Sequence, residues 1–157
     1  MGHHTHSIAN IKLAYKYKIP IIIVIRTPID AIASRIVRFG CHLDEGILEY
    51  IDFYKFILEN YNKFLILDFE EITRNTEGAI KKISSFTDIN LKYNDINKLK
   101  EKVFNYIKDW SEKRGNYIKM SLPVKKREIE KSKIKKIIIK SEKYKSALNI
   151  YNEIKKS

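Results

Sequence analysis

Residues 19–25 read IPIIIVI, and RTPID follows with no spacer. A β-branched, uncharged run of strand length, bounded by Pro20 and Arg26, is how a strand covered on both faces of a parallel sheet reads. It is expected to be a central strand. Thr27 then stands where a helix N-cap belongs and Pro28 at the first helical position. Ile29, Ile32, Ala33, Ile36 and Val37 form an apolar stripe, and Gly40 falls where a closing glycine belongs. Strand, very tight turn and helix therefore follow one another within residues 19–40.

The surrounding chain extends the pattern. Ile8, Ile11, Ala14 and Tyr15 space a short helix ending near Lys16 to Lys18, and residues 46–61 are apolar around most of a helix. FLILDFEEI (64–72) predicts a second strand with an acidic end. Residues 76–86 predict an amphipathic helix with Ala79, Ile80, Ile83 and Phe86 inward. These βα units predict an α/β domain with a parallel sheet. From about Leu91 the pattern is purely helical, with one break at 115–126, and Ala147, Leu148, Tyr151 and Ile154 dock the last helix. The 157 residues, 44% of them apolar, suffice for one cored domain and exclude intrinsic disorder. Its parts are an α/β region over 1–90 and a basic helical region over 91–157. Two strands alone do not make a stable, doubly covered parallel sheet, so the chain reads as a domain incomplete at its N-terminus.

Lys and Arg number 31 against 19 Asp and Glu, a net charge of +12 that suggests a polyanionic partner. The surplus is +10 in residues 111–157 and +1 in each of 1–60 and 61–110. Because 25 of the 31 are Lys in an Ile- and Asn-rich chain, part of it follows the drift of an AT-rich coding sequence. Lys also lacks the rigid fork with which Arg reads phosphate, so the six Arg carry more weight. The single cysteine, Cys41, excludes an internal disulfide framework and fits a reducing compartment. The longest apolar run is far shorter than the roughly 20 residues of a membrane helix, and no signal peptide is visible. A cytoplasmic protein without a transmembrane segment is expected. The opening MGHHTHS reads like an interrupted affinity tag, but it runs into the first helix without a linker and is taken as native.

Ligands of open α/β sheets gather at the carboxyl ends of strands, where a helix N-terminus offers free N–H groups. Arg26 stands at that point. Asp30, Ser34 and Arg38 share the polar face of the following helix at intervals of four. Arg26 and Ser34 are therefore candidates to hold one anion. The alternative is structural: Ser34 bonds back to a backbone carbonyl, and Arg26 pairs with Asp30 or Glu70.

The segment IIIVIRTPIDAIAS resembles the 3′-phosphate-binding segment of the sulfotransferases that use 3′-phosphoadenosine 5′-phosphosulfate, in which a buried strand precedes Arg-x-Pro-x-Asp-x-x-x-Ser. Arg26, Pro28, Asp30 and Ser34 match its fixed positions. Phe69, Glu70, Glu71 and Ile72 are similar to the end of the family's next strand, and MSLPVKKRE to a stretch before its C-terminal helices. The resemblance implies a partial P-loop-like parallel sheet with a helical C-terminal part. It also implies transfer of a sulfuryl group from this nucleotide co-substrate to a hydroxyl or amine acceptor, without a metal. Arg26 and Ser34 would hold the 3′-phosphate. Lys113, Arg114 and Gly115 best match the family's late basic segment, with Arg127 as a competing candidate. His3 and His4 stand at about the family's separation for the base that takes the acceptor's proton, and a His near its ordinary pKa suits that step. The alternative for these His is a flexible polar terminus or an adventitious metal site; three His without a Cys or carboxylate ligand nearby make an incomplete zinc site.

One part of the family pattern is missing. None of the five Gly opens a Lys-Ser or Lys-Thr helix after a strand, so the loop that would cradle the 5′-phosphosulfate is absent from the sequence. By this reading the chain transfers sulfuryl groups weakly or not at all by itself. It is a gene fragment, a degenerate homologue, or a half that works with a separately encoded N-terminal half. A second function class is a non-catalytic basic module whose Lys125, Lys126, Arg127, Lys131, Lys133, Lys135, Lys136 and Lys140 hold an anionic glycan or, less in keeping with the Lys-for-Arg bias, nucleic acid.

Overall fold

The computed structural model describes residues 7–90, 95–113 and 125–157. In chain order its elements are α1 (Ile8–Lys16), β1 (Ile22–Ile25), α2 (Pro28–Phe39), α3 (Leu43–Glu59), β2 (Leu65–Asp68), α4 (Phe69–Arg74), α5 (Thr76–Thr87), α6 (Ile96–Lys113), α7 (Lys125–Ile138) and α8 (Glu142–Lys156). The described chain is mostly helical around one small parallel sheet, which is α/β in the coarse sense.

β1 and β2 pair in parallel, from Ile22 opposite Leu65 to Ile25 opposite Asp68, with α2 and α3 as the crossover. The strands end level, so the first residues beyond them, Arg26 and Phe69, emerge side by side.

The central placement expected for 19–25 does not hold among the described residues. β1 has one strand neighbour, and Val24 is 45% exposed. Leu65 N donates to the carbonyl of Ile21, so the backbone groups of Val24 and Arg26 face the opposite edge. There α3 supplies what a third strand would: the Tyr54 hydroxyl donates to the Val24 carbonyl (3.2 Å) and the Tyr50 hydroxyl to the Arg26 carbonyl (2.9 Å). Buried carbonyls need such partners, and these two tyrosines meet the need from a helix.

α2 starts at Pro28 as expected, but Thr27 does not cap it with its side chain; its hydroxyl donates to Asp30 (2.6 Å) instead. The helix closes on Gly40 at φ +69°, whose N–H reaches the Ile36 carbonyl (2.8 Å). The second strand is shorter than 64–72. Asp68 caps α4 by accepting from the N–H groups of Glu70 (2.9 Å) and Glu71 (3.2 Å), so the acidic end lies in a helix.

Ile32, Ala33, Ile47, Ile57, Ile138 and Ala147 are the most buried apolar side chains of the core. Each buried Ile contributes roughly 1.5–3 kcal/mol. They lie where α7 packs along α2 and α8 along α3. Phe86 and Leu148, both expected inward, stay substantially exposed, while Ala79, Tyr151 and Ile154 turn in. The break at 115–126 falls outside the described residues up to Val124, and Lys125 and Lys126 open α7. No described helix is long and apolar enough to cross a membrane.

Candidate anion-binding site

Arg26 leaves β1 at its carboxyl end, one residue before the Thr27 that precedes α2. Its guanidinium lies 4.6 Å from the centroid of the Phe69 ring, a cation–π contact of about 0.5–1 kcal/mol at a partly exposed site. The Arg26 Nε is shut off from solvent and bonds to no described group. Neither expected carboxylate forms an ion pair with it among the described residues. Asp30 is taken by Lys135 (2.5 Å) and Thr27. Burial pushes the Asp30 carboxyl up, but Lys135 and Thr27 outweigh it and hold it below its ordinary value.

Glu70 sits close enough for Arg26 to favour its ionised form, yet its pKa is raised overall. Burial is the largest cause and the neighbouring Asp68 carboxylate the next. Asp68 keeps the charge of the pair: burial opposes it, but Lys155 (3.0 Å), the helix N–H groups and the Tyr151 hydroxyl (3.1 Å) hold it well below the usual range. With no ion pair to a described carboxylate, the positive charge of Arg26 remains available to an external anion.

Ser34 is half-buried midway along α2, and its hydroxyl makes no hydrogen bond to a described residue. The back-bonded alternative is therefore not what α2 adopts. α7 runs antiparallel along this polar face, with Lys135 on Asp30 and Arg127 beside Arg38. Of the eight cations in the α7 run, Arg127 and Lys131 are buried at 6% and 8% exposure, and Lys135 reaches in to Asp30. Lys125, Lys126, Lys133, Lys136 and Lys140 remain exposed.

The structure separates some of the expected partners. Arg127 lies by Arg38 at the far end of α2, about 15 Å of helix rise from Pro28, so it and Arg26 do not meet on one phosphate. Lys113 is exposed at the C-terminal end of α6. His3, His4, Arg114 and Gly115 lie outside the described residues. Sequence reasoning missed Phe69 as the platform for Arg26, and the burial of Lys131. The spacing of Arg127, Lys131 and Lys135 at intervals of four was the available signal for an inward cationic face.

A shallow cleft of about 340 Å³ runs beside β2, lined by Ile25, Ile66, Asp68, Glu71 and Lys155 among others. Its Asp68 and Lys155 are already paired with each other. Among the described residues no three His, Cys, Asp or Glu gather to hold a metal ion. The chain matches no protein-family model, no curated protein and no solved structure.

Proposed function

We propose that the chain is a sulfotransferase-like domain with a partial P-loop-like sheet, whose Arg26 end binds the 3′-phosphate of a nucleotide such as 3′-phosphoadenosine 5′-phosphosulfate. The observation that carries this reading is the state of Arg26. It stands at a strand carboxyl end before a helix, is laid on Phe69, and makes no ion pair with a described carboxylate. The match of Arg26, Pro28, Asp30 and Ser34 to the family's spacing supports it. An arginine fork there offers a contact of about 1.5–3 kcal/mol to a desolvated phosphate.

The chemistry is transfer of a sulfuryl group to a hydroxyl or amine, with His3 or His4 as the proton acceptor and Lys113, Arg114 or Gly115 as further anion contacts. Activity of this chain by itself is low, because no Gly-rich turn with a Lys-Ser or Lys-Thr follows either described strand. Calorimetry with adenosine 3′,5′-bisphosphate and adenosine 5′-monophosphate tests the binding step. The bisphosphate binds more tightly, and Arg26→Gln removes the difference; equal affinities in the unaltered protein refute the reading.

A further inference from the structure

We propose that α6 is a membrane-surface helix, whose apolar face lies in the headgroup region of a bilayer rich in anionic phospholipid. The inference is independent of the Arg26 reading, which makes no use of this face.

α6 opens on Asp95, whose carboxylate accepts from the N–H groups of Asn97 (2.9 Å) and Lys98 (3.2 Å), and it ends at Lys113. Ile96, Leu99, Val103 and Ile107 recur at helical spacing and share one face, with Phe104 on one side of it and Tyr106 on the other. Leu99, Val103, Phe104 and Tyr106 are between 43% and 70% exposed. None of the six joins the core cluster or packs against it. A face of this kind is ordinarily buried against a core.

The charges around the face indicate what covers it. Lys102 and Lys113 border it on one side and Lys108 on the other, and Lys100 lies within it, one turn from Phe104. Glu101 and Asp109 stand farther round, behind these lysines. Lysine stems lie along apolar surface while their ammonium groups reach out to the level of lipid phosphates. Lys at the borders with Leu, Ile, Phe and Tyr between them is the pattern of a helix held in the plane of a membrane interface. α6 is not apolar enough to cross the bilayer, so the mode is interfacial. The net charge of +12 favours an anionic surface and opposes a second copy of the chain on the same face.

The test is flotation of the full chain with vesicles of phosphatidylglycerol and phosphatidylcholine in equal parts, and with vesicles of phosphatidylcholine alone. Binding should be about tenfold tighter to the anionic vesicles and should weaken as salt is raised. Leu99→Gln with Val103→Gln removes apolar surface at exposed positions without altering charge or lowering helix propensity. It should weaken binding about tenfold at an unchanged melting temperature. Lys100→Gln with Lys102→Gln should weaken binding several-fold on the anionic vesicles alone. Absence of binding to either vesicle overturns the proposal. So does binding that the Leu99 and Val103 substitutions leave intact, which assigns it to other lysines such as those exposed on α7. A dimer in sedimentation that the same two substitutions abolish also overturns it, because a second copy then takes the face.

Discussion

The guanidinium of Arg26 rests 4.6 Å from the ring centroid of Phe69, and the parallel register produces this contact. Ile25 and Asp68 are paired, so the residues after them leave the sheet at the same level. A ring beneath the guanidinium limits where its fork can point. Phe69→Leu removes the ring electrons but keeps apolar bulk, and should weaken adenosine 3′,5′-bisphosphate about twofold to fivefold, the equivalent of about 0.5–1 kcal/mol. Phe69→Tyr should be neutral. Calorimetry on the three proteins separates these outcomes, and an unchanged affinity in Phe69→Leu means that the ring does not orient the arginine.

Glu70 gives a prediction with a definite sign. Its folded pKa is raised, chiefly by burial and then by Asp68, so ionising it costs stability in the native state. The native state therefore favours the protonated form, and that advantage fades as pH rises through the folded value. Glu70→Gln should melt higher than the unaltered protein at pH 7, with the gap closing as pH falls below about 4, where the acid is protonated in both states. It should also bind the bisphosphate more tightly at pH 7, because a nearby negative charge is gone. A melting difference independent of pH contradicts the assignment.

The local signals of α2 were legible because they are covalent and short-range: Pro28 fixes φ, and Gly40 accepts a left-handed one. The stripe of Ile32 and Ala33 likewise gave the buried face. The edge of β1 was not legible. Nothing in IPIIIVI or the Arg26 after it indicates that Tyr54 and Tyr50, more than twenty residues on, satisfy the carbonyls of Val24 and Arg26. The end of β2 misled because Asp68 reads equally as a strand terminus and as a helix cap. Of the candidate site, Arg26 and Ser34 were readable from spacing, whereas the platform beneath Arg26 and the inward turn of Arg127 and Lys131 depend on which helix packs where.

Tyr50 and Tyr54 act where a neighbouring strand would. Removing either hydroxyl leaves the carbonyl of Arg26 or Val24 without its partner, so Tyr50→Phe and Tyr54→Phe should each cost about 0.5–1.5 kcal/mol in urea denaturation. Their rings are 4.4 Å apart, so the double variant should depart from additivity. Burial also lifts the Tyr54 phenol to about 12 and raises Tyr50 further. Tyrosinate absorbance should therefore keep a late-ionising component in alkaline titration, and Tyr54→Phe should reduce it.

Asp68 joins the sheet to α8. Its carboxylate caps α4 and binds Tyr151 and Lys155, and its side chain is 10% exposed while Lys155 is 48% exposed. Asp68→Ala loses a cap worth about 1 kcal/mol and a charged hydrogen bond worth about 1.5–3 kcal/mol. Asp68→Asn keeps the cap and loses only the ionic part, so it should fall between. The folded pKa lies below the unfolded one, so this stability is fully present above about pH 4 and is lost as pH falls further. Denaturation of Asp68→Asn and the unaltered protein should converge in acid. A constant difference down to pH 2 would mean that the pair contributes packing only.

Gly40 isolates a purely conformational term. Its φ of +69° lies in the left-handed region, and a Cβ built there meets nothing within 4 Å. Gly40→Ala therefore introduces no clash, and its cost is the backbone preference alone, about 1 kcal/mol, set against a small gain from a stiffer unfolded chain. Gly40→Asn should cost less, since Asn tolerates this region better than Ala. Equal stability of all three in urea would mean that the chain after α2 adopts another closing turn, and the Gly40 N–H to Ile36 bond would not be what ends the helix.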